Sequence, residues 1–531
     1  MRSFMIVLTL ALLSGAGRVS AQAQSGSFVL SSGKDTISVE RFRRTATRLE
    51  GEMLVRIGAA RLKYDAVIGP DGMVTSLTNR FWQATDSAGA PARQEATIRL
   101  TSDSAIVDIL SGGRTITQRL GTKAGALPYI NPSFAMMELV TAKALHQGGA
   151  SDTLPVFMVS GGQTLPVTVM AVGSDSMVVT VGGGEMRLRT DATGRILGGT
   201  IPAQKLTISR AAEGAVGLAV EKPDYSAPAG APYRAIDVTV PTPMGHTLAG
   251  TLTLPRGASA DRPVPAVVTI TGSGLEDRDE AIPIFKGYRP FREFADSLGR
   301  RGIAVLRMDD RGYGGSGGNG ATATSEDFAQ DIRAGLAYLR TRPEINKNKL
   351  AAMGHSEGGL IAPMVARQEP DLKGIVLLAG TAYTGRQILN FQLGNGVKND
   401  TSLHGAKKDS AAAAVKPMVD SMVKTGPWLK FFADYDPTAT ARQVRTPVLI
   451  LNGSRDEQVT PDQVPLLEKA FKAAGNRDVT ARILADLNHL FVHDPDGFPG
   501  RYTELKSFAV DRATIGIVVE WLVKRLGPPV I

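Results

Sequence analysis

From Arg234 to the C-terminus, short apolar runs alternate with amphipathic ones, and that alternation limits the fold more than any other feature of this 531-residue chain. The apolar runs are AIDVTV, HTLAGTLTLP, PAVVTITG, IAVLRMDD, KLAAMG, GIVLLAG, TPVLILNG and VTARILAD. Between and after them lie RPFREFADSLGRRG, SEDFAQDIRAGLAYLRTR, SEGGLIAPMVARQ, PLLEKAFKAAG and TIGIVVEWLVKRL, each with apolar residues at helical spacing. Short strands that are apolar along their whole length have both faces covered. The pattern therefore predicts an α/β domain over residues 226–531, with a mostly parallel sheet between helical layers. An insertion at about 381–443 separates the sixth strand from the seventh. It carries GRQILNFQLG, an alanine-rich helix and GPWLKFFADY. Placed at a strand's carboxyl end, it is expected to form a helical cap.

Residues 22–225 read as a mainly β domain. Segments such as EATIRLTSDSAIVDIL and LPVTVMAVGSDSMVVTVGGGEMRLRT alternate apolar and polar residues between Gly- and Ser-rich turns. One helix is expected near NPSFAMMELVTAKAL, and the strands suit an antiparallel sheet or a sandwich. No fixed-period repeat is visible, and the region is too short for a seven-bladed propeller at roughly 40–45 residues per blade. EKPDYSAPAGAPYRA, residues 221–235, reads as a linker.

The first 21 residues have the layout of a secretory signal peptide: Arg2, an apolar stretch from Phe4 to Leu13, and small residues at Val19-Ser20-Ala21. The stretch is too short for a transmembrane anchor, so a periplasmic or extracellular protein is expected. With no cysteine in the chain, neither a disulfide nor a lipidated cysteine can form. The formal charge of +9 is spread thinly, without a basic run interleaved with aromatics, so no nucleic-acid partner is expected.

The chemistry concentrates at AAMGHSEGGL, where Gly354-His355-Ser356-Glu357-Gly358 joins the strand KLAAM to the helix EGGLIAPMVAR. G-x-S-x-G in that context describes a strained turn that exposes a serine hydroxyl, with glycines where strand and helix crowd together. A serine is a weak nucleophile and needs a base oriented by a carboxylate. Asp456 in LILNGSRDEQV and His489 in ILADLNHLFVHD follow it in the order such a turn requires, each just past a strand. Among the six histidines, His489 is the one placed as base; His355 is expected to pack beside the site, and His493 to be structural. Acyl transfer also needs oxyanion donors. The amide after the nucleophile, Glu357, is one, and the loop in VVTITGSGLEDRDE supplies the second through Ser273 or, as second choice, Gly274. Asp277-Arg278-Asp279 are expected to form structural ion pairs, with Asp309 or Arg311 as partners. GYGGSG, residues 312–317, fits a dinucleotide fingerprint in spelling only, because a loop and not a helix follows it.

These residues carry a resemblance. From about Arg234 onward the chain resembles the α/β-hydrolase superfamily, and most of all bacterial esterase and serine-aminopeptidase-like members. The shared motifs stand here at Gly272–Asp279, Asp309–Ser316, Gly354–Gly359, Gly453–Val459 and Asn488–Phe491. The resemblance implies a serine hydrolase with Ser356, Asp456 and His489 as its triad and with no cofactor or metal. Thr271 stands where many relatives have histidine. A small-molecule ester is the expected substrate, with Trp428, Phe431 and Phe432 of the insertion as an apolar acyl pocket. The alternative is a short peptide, whose amine Glu276 or Asp434 would hold. A non-catalytic binding protein is the third reading, and the complete Ser, Asp and His set speaks against it.

Overall fold

The computed structural model describes residues 23–527 apart from 57–59, 85, 87–88, 112–113, 183, 219–222, 402 and 425. Residues 1–21, expected to be a signal peptide, lie outside the described residues. The chain divides into two compact units, one built mainly from residues before 219 and one running from 219 to the C-terminus. Residues 55–60 and 82–91 group with the second unit.

The N-terminal unit is a single fifteen-stranded sheet and not a sandwich. Its first strand, Gln24–Ser32, lies at the middle and pairs antiparallel with both Asp35–Arg44 and the last strand, Leu206–Ala211. The order grows outward in both directions from that pair, ending at Arg114–Gly121 on one side and Leu127–Tyr129 on the other. Only the edge strand Leu127–Tyr129 runs parallel to its neighbour, Ser151–Met158, among the pairings described. The sheet curls back on itself: Thr122, after one edge strand, and Thr164, on a strand two in from the other edge, share a hydroxyl hydrogen bond at 2.8 Å.

Inside the curl sits the helix Phe134–Gln147, the one expected from NPSFAMMELVTAKAL. Phe134, Met136, Met137 and Val140 pack against Phe28, Phe42, Leu77 and Phe157 of the strands. Its N-terminus is buried, so its amide donors need partners other than water. Glu40 supplies them from a neighbouring strand: its carboxylate accepts from Phe134 N at 2.8 Å, Ala135 N at 3.1 Å, and the hydroxyls of Ser133 and Tyr64. Burial pushes the Glu40 carboxyl above its usual range, and the four hydrogen bonds act against that shift. Glu138, further along the helix, binds Arg210 and Ile196 N.

The second unit carries an eight-stranded sheet. Two strands, Tyr233–Pro241 and Thr247–Pro255, are antiparallel, and the six that follow are parallel. Tyr233–Pro241 begins within the stretch expected to be linker. The strand order inverts around Val264–Ile270, which lies between Ala304–Met308 and Ile345–His355. Helices Ser325–Thr341, Glu357–Gln368 and Gln463–Ala473 contribute to one apolar cluster, and Pro290–Arg300 and Arg512–Leu526 to another. That is the covered sheet the alternation predicts. The insertion folds as four helices, Gly385–Asn399, Gly405–Met422, Pro427–Asp434 and Pro437–Ala441.

Removing the Glu40 carboxylate strands four buried donors at once. Glu40→Ala is expected to destabilise the N-terminal unit by about 3 kcal/mol, with Glu40→Gln losing less. Urea unfolding followed by circular dichroism measures both, and wild-type stability in the alanine variant would show that the cap does not anchor the helix.

Candidate active site

Ser356 has φ +54 and ψ −114, a conformation that L-residues avoid and that strand-to-helix turns of this kind impose. Space dictates the glycines around it. A Cβ on Gly354 would lie 2.1 Å from the Gly358 carbonyl oxygen, and one on Gly358 would lie 2.1 Å from the carbonyl oxygen of Ile270. Ser356 N donates to Leu378 O at 2.8 Å, which ties the turn to the next strand. Helix Glu357–Gln368 starts directly after the serine, so its unpaired amides and dipole face the hydroxyl.

Asp456 and His489 come together as expected. His489 Nδ1 lies 2.8 Å from Asp456 Oδ2, with both side chains buried. The other carboxylate oxygen, Oδ1, accepts from the amides of Gln458 and Val459 at 2.8 and 2.9 Å, so Oδ2 is aimed at the imidazole. An acceptor at Nδ1 places the proton there and leaves Nε2 as the basic nitrogen. The strand ending at Gly453 approaches the histidine loop closely: a Cβ there would lie 2.1 Å from Leu487 O. Asn488 braces the same loop by accepting from Leu490 N and Val492 N and donating to Asp494.

The loop after Val264–Ile270 lies over the serine, since a Cβ on Gly272 would be 3.5 Å from the Ser356 Cβ. Ser273 and Gly274 are exposed, and Gly274 has φ +115. Gly272 N is already engaged, donating to Glu276 Oε2 at 2.9 Å. The DRD run forms the expected ion pairs, with one change of partner. Arg278 binds Asp309 through Nε and Nη2, both at 2.9 Å, and Asp279 pairs with Arg307 and Arg289. Arg311 pairs with Asp331 instead. GYGGSG serves this network: a Cβ on Gly314 would strike the Asp309 carboxylate, and helix Ser325–Thr341 begins eight residues after Gly317.

Three acids are not legible in the sequence as parts of this arrangement, although Glu276 is among the candidates for holding a substrate amine. Glu280, with φ +57, binds His355 Nδ1 at 2.5 Å, while His355 Nε2 lies 2.9 Å from the His489 carbonyl oxygen. Both nitrogens face oxygen atoms, an arrangement that favours the doubly protonated ring. Burial pulls its pKa down, but the Glu280 charge and hydrogen bond outweigh it and the net shift is upward. Its ring sits 4.8 Å from that of His489. Glu276 and Asp310 are the other two. Burial drives both carboxyls well above their usual range, helped by Glu280 and Asp310 for the first and by Glu357 and Asp309 for the second. The motif GSGLEDRDE contains both glutamates, but only the folded loop brings their carboxylates against Gly272, beside the serine.

The aromatics of the insertion divide. Trp428 Nε1 donates to Glu357 Oε1 at 2.8 Å and its ring stacks on Phe432 at 5.2 Å. Ser325 Oγ binds the same carboxylate at 2.5 Å. Burial raises the Glu357 pKa against the hydrogen bonds from Ser325, Trp428 and the Ser273 side chain. Phe432 is interior packing against Gly385, and Phe431 stacks on Tyr435. Of the three, Trp428 alone reaches the elbow through a hydrogen bond described here. Asp434 pairs with Arg386 at 3.2 Å, and the exposed His493 pairs with Asp511.

Residues 286–496, which contain Ser356, Asp456 and His489, match the family model described as serine aminopeptidase S33. Esterase EstD of Thermotoga maritima is 29% identical over 315 residues, 57% of this chain and 70% of that protein. Dipeptidyl aminopeptidase BIII of Pseudoxanthomonas mexicana is 28% identical over 255 residues, which is 46% of this chain and only 34% of its own length. The solved structure of Pyrococcus furiosus esterase Pf2001 aligns over 58% of this chain and 97% of its own, at 18% identity and a TM-score of 0.40. The family match and the curated relatives make the second unit similar to esterases and serine aminopeptidases of the α/β-hydrolase type.

Proposed function

We propose that the protein cleaves carboxylic esters through an acyl-serine intermediate on Ser356. The observation that carries this reading is the buried His489–Asp456 pair at 2.8 Å, in a chain whose serine occupies the left-handed turn before a helix. Ser356 Oγ attacks the ester carbonyl carbon while His489 Nε2 takes its proton. Asp456 holds the imidazolium that results. The oxyanion lies against the Glu357 amide and the amide of Ser273 or Gly274. Collapse of the tetrahedral intermediate returns the proton to the leaving alkoxide, and a water activated by His489 then releases the acid. Export through residues 1–21 belongs to the same reading.

An ester is favoured over a peptide by the state of the nearby acids. Holding a substrate ammonium requires an ionised carboxylate. Glu276 is pushed toward its neutral form by burial and already accepts from Gly272 N, while Asp434 is matched to Arg386.

Ser356→Ala and His489→Ala are each expected to lower kcat/KM by about 10⁴-fold or more with the fold intact. The assay pairs p-nitrophenyl esters with aminoacyl-p-nitroanilides. Full activity in the serine variant would remove Ser356 from the mechanism, and comparable anilide turnover would move the protein to the peptidases. Trp428→Ala is expected to impair long-acyl esters at least about tenfold more than acetate, a difference of ~1.4 kcal/mol. Equal loss at all chain lengths would assign the indole to cap packing alone.

The His355–Glu280 pair adds a pH signature. The folded pKa of His355 is raised, so its stabilising contribution is complete below the unfolded value of about 6.5 and fades as pH rises through the folded value. His355→Gln is expected to flatten that alkaline decline in urea midpoint, and a decline identical to wild type would assign it to other groups.

A further inference from the structure

The curled N-terminal sheet is incompletely filled. Within the curl a cavity of about 420 Å³ remains, bounded by strands of one half of the sheet and by the segments around Ile130 and Ser160. It opens at a rim and lies where the edge strand Arg114–Gly121 meets the turn before Gln163–Ala171. A Cβ on Gly162 would lie 2.8 Å from Leu120 Cδ1, so the turn at Ser160–Gly162 closes tightly onto the opposite edge strand.

The lining is graded. Its floor is Ile98, Val107, Ile130 and Phe157, all buried. Its rim is Gln94, Gln118, Asn131 and Ser160, all exposed. Among the described lining residues none is ionisable. A cavity of this size, apolar within and edged by a few polar groups, has the character of a small-molecule site. Aliphatic side chains outnumber aromatic ones along its walls, which suits a flexible chain better than a stack of rings. Rim carboxamides and a hydroxyl can donate to and accept from ester or hydroxyl groups, whereas a carboxylate or ammonium would enter without a counter-charge, at high cost.

We propose that this cavity binds an uncharged single-chain acyl ester of the monoacylglycerol type, with its chain on the Ile98–Phe157 floor and its polar end between Gln94 and Gln118. The site lies wholly within the N-terminal unit and stands whether or not Ser356 is the nucleophile. Together with the proposed esterase activity it would retain the neutral ester and reject the acid released from it.

Calorimetric titration of the full-length chain, below micellar concentrations, compares 1-O-decylglycerol, an ether that ester hydrolysis cannot consume, with decanoate. Wild type is expected to bind the ether saturably and decanoate at least tenfold more weakly. Ile109→Trp, which fills the cavity from a partly exposed wall position, should weaken the ether at least tenfold. Gln118→Arg, on the exposed rim, should strengthen decanoate about tenfold. Both variants should keep wild-type hydrolysis of p-nitrophenyl acetate. The proposal fails if wild type shows no saturable binding, if decanoate binds as well as the ether, or if a folded Ile109→Trp binds the ether unchanged, which would place the ligand in the hydrolase unit. Should Ile109→Trp not fold, Gln118→Arg decides alone: unaltered decanoate affinity overturns the proposal.

Discussion

The geometry around Ser356 depends on a contact in which no side chain takes part. Gly358 presses its α-carbon against the Ile270 carbonyl, and Gly354 presses against Gly358. Two strands and one helix are thereby held at backbone contact distance. Ile270 leads directly into the loop Thr271–Glu280, so the same contact sets where that loop stands over the serine. A side-chain interface could relax by changing rotamers, but backbone pressed on backbone cannot. The positive φ of Ser356 is held by that close packing and by its hydrogen bond to Leu378.

Around this contact the protein buries several ion pairs. Arg278–Asp309, Asp279 with Arg307 and Arg289, and Arg311–Asp331 all lie beneath the loop or beside it. Buried ion pairs add little net stability over apolar packing of the same volume, because desolvation offsets the attraction. What they supply here is direction. Asp309 binds the backbone amide of Arg278 as well as its guanidinium, and Asp310 binds Glu276 N and the Thr271 hydroxyl. The loop is thus fixed from below by aspartates on the turn after a neighbouring strand. His355 does the equivalent for the histidine loop, reaching the main chain of His489 with its own position set by Glu280.

Much of this was legible in the sequence, for identifiable reasons. Strand and helix signals in the second unit are strong because buried parallel strands are apolar end to end. Ser356, Asp456 and His489 could be placed because each follows a strand within a few residues. Arg278 and Asp309 were paired on charge alone, while Arg311 was not correctly partnered, because charge complementarity cannot choose between nearby acids. Glu276, Glu280 and Asp310 were invisible as a group: their relation arises from a loop and a turn that touch only in three dimensions. The aromatic run Trp428–Phe432 was read as one surface, yet helical geometry stacks Trp428 on Phe432 and sends Phe431 to Tyr435. In the first unit, alternation identified strands but said nothing about which strand pairs with which.

That pairing has a consequence for how the chain folds. Gln24–Ser32 must wait for Leu206–Ala211, made some 175 residues later, before its second edge is covered. Contacts so distant in sequence give a high contact order and slow folding. Until the pair forms, the central strand is an exposed edge and a template for pairing with another chain. The unit is therefore most exposed to aggregation while it is still emerging, and the rate at which residues 24–211 become available together should govern its yield more than its final stability does.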